Sequence, residues 1–259
     1  MSSADPIIRF REVCKDYPRQ SVAAHGLKNL VLRPAAALRS LRRREVFRAL
    51  DGVTFDIMGG ECVGLIGRNG SGKSTTLGLI AGVLRPSAGE MRVRGRISPL
   101  LQVGAGFHPE LTGRENVFLN GILLGQTRAQ VRARYDEIVA FSELGDFVEQ
   151  PLRTFSTGMQ ARLGFSVAAH IHPEVLLVDE VLAVGDAAFK DKCLDRIKAL
   201  RDLENVTTVI VSHSIKAVVD LCNRALLLDH GRLLADGAPD DVAERYFEVL
   251  GRRPSAATA

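Results

Sequence analysis

At 259 residues, 46% apolar and 25% charged, the chain has the balance of a soluble globular protein, long enough for a real core in one large domain or two modest ones. No apolar run approaches the about 18 residues of a membrane span, and the N-terminus MSSADPIIRFREV lacks the features of a secretory signal. The net charge of +4 is too small to imply nucleic-acid binding by itself, and Cys14, Cys62, Cys193 and Cys222, with no C-x-x-C pair among them, favour reduced thiols in a cytosolic protein over disulfides or zinc.

In chain order, residues 7–17 and 46–57 read as strands, separated by an insertion at about 18–45. The sequence CVGLIGRNGSGKS at 62–74 then supplies the strongest signal. Val63, Gly64, Leu65 and Ile66 read as a buried strand, residues 67–74 complete a GxxxxGK[ST] phosphate loop, and Leu77, Ile80, Ala81 and Leu84 recur at helical spacing. Glycines let successive backbone N–H groups turn toward one point and approach a phosphate closely, and the helix N-terminus adds unpaired N–H groups and partial positive charge. Lys73 would reach the β- and γ-phosphates and the Ser74 hydroxyl would ligate Mg²⁺. Such a chain binds a nucleoside triphosphate.

The run Arg85, Pro86, Ser87, Ala88, Gly89 is a stop signal, followed by a short strand region around 90–101. Residues 110–150 carry apolar residues at three- and four-residue spacing and read as helices, with Thr127 as an N-cap for the second; another helix spans 159–170. Strands return at 175–180, 207–213 and 225–237, separated by helices, so the sheet is mostly parallel and the middle third is a helical insertion into it. The tail 252–259 reads as loose.

Strand 175–180 ends in Asp179 and Glu180, which would emerge at the carboxyl edge of a parallel sheet, beside the phosphates. Asp179 can hold Mg²⁺ through water and Glu180 can accept a proton from the attacking water. His213 ends strand 207–213 at the same edge, where it would contact the γ-phosphate or orient that water. Gln102 could coordinate Mg²⁺ or water and report occupancy to the helices. In FSTGMQAR, residues 155–162, Ser156 and Gly158 precede a helix and form a second anion-ready N-terminus. Two such sites for one nucleotide imply a symmetric dimer, each Ser156/Gly158 turn closing over its partner's phosphates.

The ordered set GRNGSGKS, Gln102, FSTGM, VLLVDE and His213 resembles the ATP-binding-cassette ATPases across residues 7–240. FSTGM stands where the family usually reads LSGGQ, Ala183-Val184-Gly185-Asp186 where it reads SALD, and Val181 replaces a proline. With GAGFHPELTGRENVFLNG and AAHIHPEVLLVDEVLAVGDAAFKDKC, the chain is similar to the branch that exports polysaccharide, O-antigen and teichoic acid.

The resemblance implies an α/β phosphate-loop ATPase: a mixed, mostly parallel sheet flanked by helices, an inserted α-helical subdomain and a small antiparallel β region. The core would take 1–102 and 173–250, and the helical subdomain about 103–172. ATP and Mg²⁺ are the implied ligands; Gly67, Asn69, Gly70, Ser71, Gly72, Lys73, Ser74, Thr75, Ser156, Thr157, Gly158 and Asp186 would bind nucleotide, and Ser74, Gln102 and Asp179 the metal. Glu180, His213 and Gln102 are the catalytic set. Adenine stacking would come from an aromatic upstream of the phosphate loop, Tyr17 being favoured over Phe47. The implied partners are a second copy of the chain, two copies of a separate permease and, through it, a lipid-linked polysaccharide. The chain would lie peripherally on the cytoplasmic face of the bacterial inner membrane and bind no nucleic acid. Some members of the branch carry an additional C-terminal carbohydrate-binding domain; none is expected within these 259 residues.

The insertion, about 27–46, reads as a helix opened by Pro34 and crowded with Arg39, Arg42, Arg43 and Arg44. It could meet anionic headgroups or a glycan diphosphate at the membrane interface, each cation contributing about 1 kcal/mol, or make a purely structural contact with the membrane subunit.

Overall fold

A computed structural model describes residues 5–18, 46–100, 106–171, 173–179, 186–212 and 214–251. Gln102, Glu180, His213, the tail and all of the basic insertion except Val46 lie outside these described residues.

Among the described residues, nine strands form two sheets. β1 (Ile8–Pro18), β2 (Val46–Ile57) and β4 (Ala88–Val93) make an antiparallel sheet in the order β2-β1-β4. β3 (Cys62–Ile66), β5 (Ile97–Leu100), β6 (Val175–Asp179), β7 (Thr207–Val211), β8 (Arg224–Asp229) and β9 (Arg232–Gly237) make the larger one, in the order β5-β6-β7-β3-β8-β9. All its pairings are parallel except β8–β9. β3 and β7 are buried at every residue, as continuous apolar strands covered on both faces must be.

Two strand regions divide where the sequence reading had one. Residues 225–237 form a β8–β9 hairpin, because His230 (φ 45°) and Gly231 (φ 77°) both adopt the left-handed conformation of a tight hairpin turn. Residues 90–101 split at Gly95 (φ 87°) into β4 and β5, which belong to different sheets.

The helices are α1 (Lys73–Ile80), α2 (Gly113–Leu123), α3 (Arg128–Ser142), α4 (Thr157–His170), α5 (Ala187–Asp202), α6 (Ile215–Leu221) and α7 (Pro239–Val249). Capping boxes open α2 (Thr112 with Glu115) and α3 (Thr127 with Gln130), each satisfying two orphan N–H groups. Among the described residues no helix is long and apolar enough to cross a membrane.

Among the described residues the apolar side chains gather into three cores. One joins the inner face of the antiparallel sheet, from Ile8, Phe10 and Phe55, to α1 and one face of the main sheet. A second lies on the other face, under α5, α6 and α7. The third is confined to α2, α3, α4 and the turns between them. Helix α4 serves two cores, through Phe165 and Ala169 in one and Leu163 and Val167 in the other.

Candidate nucleotide-binding site

β3 delivers the chain to the carboxyl edge of the main sheet, and the residues after it wrap back before α1 begins. Two glycines permit that path. A Cβ on Gly67 (φ 147°) would lie 2.0 Å from Leu228 O, and one on Gly72 (φ 108°) 2.6 Å from Leu50 and 2.8 Å from Ala49 O. Gly72 stands at the N-cap of α1, where no side chain caps the helix, so the first-turn N–H groups face outward as an anion cradle. The hairpin turn buttresses this loop from behind: Gly231 N–H donates to Ser71 O at 3.0 Å, and Asp51 N–H to Gly231 O at 2.8 Å.

Lys73 is 6% exposed, and its ammonium donates to Gly67 O at 2.8 Å and Arg68 O at 3.0 Å. Burial lowers its pKa, opposed by the nearby Asp179 carboxylate. The register places Asp179 beside Val211 at the ends of β6 and β7, with Val211 in turn paired to Leu65 of β3. A cavity of about 320 Å³ opens there, lined by Phe47, Ala49, Asn69, Gly70, Gly72, Lys73, Ser74, Thr75, Asp179 and Val211. The Ser71 hydroxyl is buried without a hydrogen-bond partner among the described residues, an orphan polar group set inside the loop. The cradle, the ammonium, and the exposed Ser74 hydroxyl with a carboxylate in the same cavity fit a nucleotide phosphate chain with a divalent cation.

Tyr17 is the Cα partner of Phe47 across β1–β2, but Phe47 is the aromatic that lines the cavity, at 52% exposure. Ser156, Thr157, Gly158 and Asp186 are not in its lining. Ser156 instead caps α4, its Oγ accepting from Met159 N–H at 3.2 Å, which leaves the hydroxyl proton for another acceptor. A Cβ on Gly158 would meet nothing closer than 3.8 Å, so this glycine is not required by the chain's own packing. Asp186 caps α5 through Phe189 N–H at 2.9 Å; that hydrogen bond, and Arg162 beside it, hold its pKa below the ordinary carboxylate value.

The sequence reading missed Gly231. The Asp-His-Gly triplet between two apolar runs is the turn signal that marks it.

A glycine cradle, a buried lysine and an acidic strand end, set at the carboxyl edge of a mostly parallel sheet, define a phosphate-loop nucleotide-binding protein. The ABC transporter family model matches residues 50–183. The O-antigen export system ATP-binding protein RfbB of Klebsiella pneumoniae is 43% identical over 95% of this chain and 99% of its own length. The teichoic acids export ATP-binding protein TagH of Levilactobacillus brevis is 39% identical over 93% of this chain and 64% of its own. A dimeric ATP-binding cassette bound to ADP and Pi superposes with a TM-score of 0.70 at 24% identity, covering 90% of this chain and 98% of that one. The chain belongs to the ABC transporter family, as an ATP-hydrolysing subunit.

Proposed function

We propose that the chain is the ATPase of an exporter of lipid-linked polysaccharide, working as a homodimer with two copies of a membrane permease. The carrying observation is the split of its anion-binding elements. Lys73, Ser74 and Asp179 share one cavity, whereas the Ser156–Gly158 turn stands outside that lining, with nothing closer than Ser156 Oγ at 3.8 Å to where a Gly158 Cβ would stand. A second copy facing this one would bring its turn over the first copy's phosphates and complete the site. The cargo class is supported by the relatives named for O-antigen and teichoic acid export, which match nearly all of this chain.

In this reading Lys73 exchanges its bonds to Gly67 O and Arg68 O for phosphate oxygens, and the N–H groups opening α1 hold the others. Ser74 and Asp179 would hold Mg²⁺, with Gln102; when bound it neutralises charge on the transferring phosphoryl group. Glu180 accepts the proton of the attacking water, and His213 orients that water. The partner's Ser156 hydroxyl and α4 N-terminus complete the enclosure, so ATP closes the dimer and hydrolysis releases it. The arginine-rich insertion would face anionic lipid at the peripheral, cytoplasmic side of the membrane.

The test uses Glu180→Gln. A general base contributes about 10²- to 10⁴-fold in rate, so this variant should bind ATP, turn over at least about 100-fold more slowly and elute as a stable dimer. A monomer with ATP, or wild-type turnover, would remove the mechanism. Purifying the chain with its permease and identifying the co-purified lipid tests the cargo separately.

A further inference from the structure

The outward face of the antiparallel sheet holds a second cavity, of about 390 Å³, that shares no residue with the nucleotide site. Its lining includes Arg9, Arg11, Glu90 and Arg92. Strand register puts them there: across β1–β4, Arg9 is the partner of Arg92 and Arg11 of Glu90, while Ile8 and Phe10 turn into the core. Two guanidiniums directly opposite each other weaken a strand ladder, so the packing of the sheet gives no reason for the pair.

The surrounding carboxylates are shared out and do not neutralise it. Asp56, the partner of Arg9 on β2, accepts a hydrogen bond from Arg11, while Arg9 Nε stays 3.6 Å from its other oxygen. Asp5 is divided between Arg9 at 3.2 Å and Arg94 at 2.7 Å. The Arg92 side chain has no ion pair or hydrogen bond among the described residues. Arg9 Nε and that Asp56 oxygen are both shut off from solvent and face each other beyond hydrogen-bond distance. Four arginines (Arg9, Arg11, Arg92, Arg94) face three carboxylates (Asp5, Asp56, Glu90), leaving one positive charge and a set of unused donors.

We infer that this cleft binds a phosphate-bearing anion, a phosphate or diphosphate group either free or carried on a lipid, held between Arg92 and Arg9. Planar guanidiniums present several donors at once to such oxyanions, which suits them to this ligand better than a lysine would be. The inference stands on the sheet alone and is independent of the proposed cargo.

The experiment uses the full chain saturated with Mg²⁺ and ADP, so that the phosphate loop is filled. Inorganic pyrophosphate is titrated calorimetrically in one arm; in the other, sedimentation is measured with vesicles of phosphatidylcholine alone or mixed with phosphatidylglycerol. Arg92→Gln is compared with Lys198→Gln, an equal charge change on an exposed position of α5. Loss of one charged donor pair should weaken binding about tenfold in Arg92→Gln, with Lys198→Gln and the ATPase rate at wild-type levels. Arg92-dependent pyrophosphate binding assigns a soluble phosphate. Arg92-dependent sedimentation with phosphatidylglycerol, without pyrophosphate binding, assigns a headgroup. If neither probe depends on Arg92, or Lys198→Gln weakens binding equally, the site does not exist.

Discussion

Arg162 of α4 and Asp186 at the head of α5 are joined by a 2.6 Å ion pair, and the same guanidinium reaches Glu143 at 2.8 Å and lies over the Phe189 ring at 4.7 Å. Lys192 holds the other oxygen of Glu143 at 2.8 Å. Glu143 closes α3 with φ at 58°, a left-handed conformation uncommon for a glutamate and fixed here by its two cations. One side chain therefore links the helix that begins at the Ser156 turn to the helix that follows the acidic end of β6. In the dimer proposed above, those two ends would serve different nucleotides.

Arg162→Ala should accordingly lower stability by about 1–2 kcal/mol, discounted because both acids are half exposed. It should also reduce the cooperativity of ATP hydrolysis with ATP concentration while leaving nucleotide affinity near wild type. Arg162→Lys can pair with one acid but not span both, so it should recover stability in part and cooperativity little. Chemical denaturation and a Hill plot measure the two effects, and an unchanged Hill coefficient would confine Arg162 to a structural role.

Phe47→Ala should weaken ATP binding by about tenfold with no loss of folding stability. An aromatic under a base contributes about 1–3 kcal/mol, and Phe47 is half exposed, so its truncation opens no core cavity. Tyr17→Ala should cost less, because Tyr17 is the strand partner of Phe47 and sits outside the cavity lining. Equilibrium binding of a fluorescent ATP analogue ranks the two; a larger loss at Tyr17 would reverse the assignment.

That choice marks the boundary of what the sequence carries. The phosphate loop was legible because a glycine spacing and its strand–helix context are local, and so was the acidic end of β6, since a strand buried on both faces is one apolar run. The N-cap at Thr127 is local as well. Phe47 depends on which of two paired strands turns an aromatic toward the cavity, and register is a property of the pair. The Glu143–Arg162–Asp186 network joins residues 19 and 24 positions apart, with no periodicity to reveal it. The hairpin at Gly231 was hidden differently: apolar residues on both sides of the turn merged into one apparent strand.

Gly231→Ala tests the buttress behind the phosphate loop. The residue needs φ near 77°, and a Cβ would sit 2.7 Å from Ala49 O and 3.2 Å from the Leu50 backbone. Backbone cannot move aside as a side-chain tip can, so the hairpin must shift and loosen its bond to Ser71 O. A destabilisation of about 1–3 kcal/mol is expected from the strained dihedral alone. Because Ser71 lies inside the loop, ATP affinity should fall as well. Lys198→Gln, on an exposed position of α5 away from this contact, should alter neither; thermal melts with and without ATP separate the two contributions.

The pH dependence of folding should carry a signature of His170. It is 8% exposed, Nδ1 lies 2.7 Å from Ser166 O, and the ring meets Phe141 edge-on at 4.9 Å. Burial lowers its pKa below the ordinary 6.5; the Ser166 carbonyl opposes that shift, Arg196 reinforces it, and Glu137 and Glu204 oppose it more weakly. With the folded value depressed, the unfolded chain takes up the proton first. Above pH 6.5 both states are neutral at this site and stability does not depend on it. As pH falls from 6.5 through the folded value, stability is lost, by at most about 1.4 kcal/mol per pH unit for one proton. His170→Leu removes the titration and keeps an apolar volume against Phe141. Its stability relative to wild type should therefore stay level from roughly pH 7.5 to 6.5 and rise as the pH falls below 6.5 toward 5.5, measured by urea denaturation at each pH. A difference that stays constant across that interval would show that His170 does not titrate differently in the folded chain.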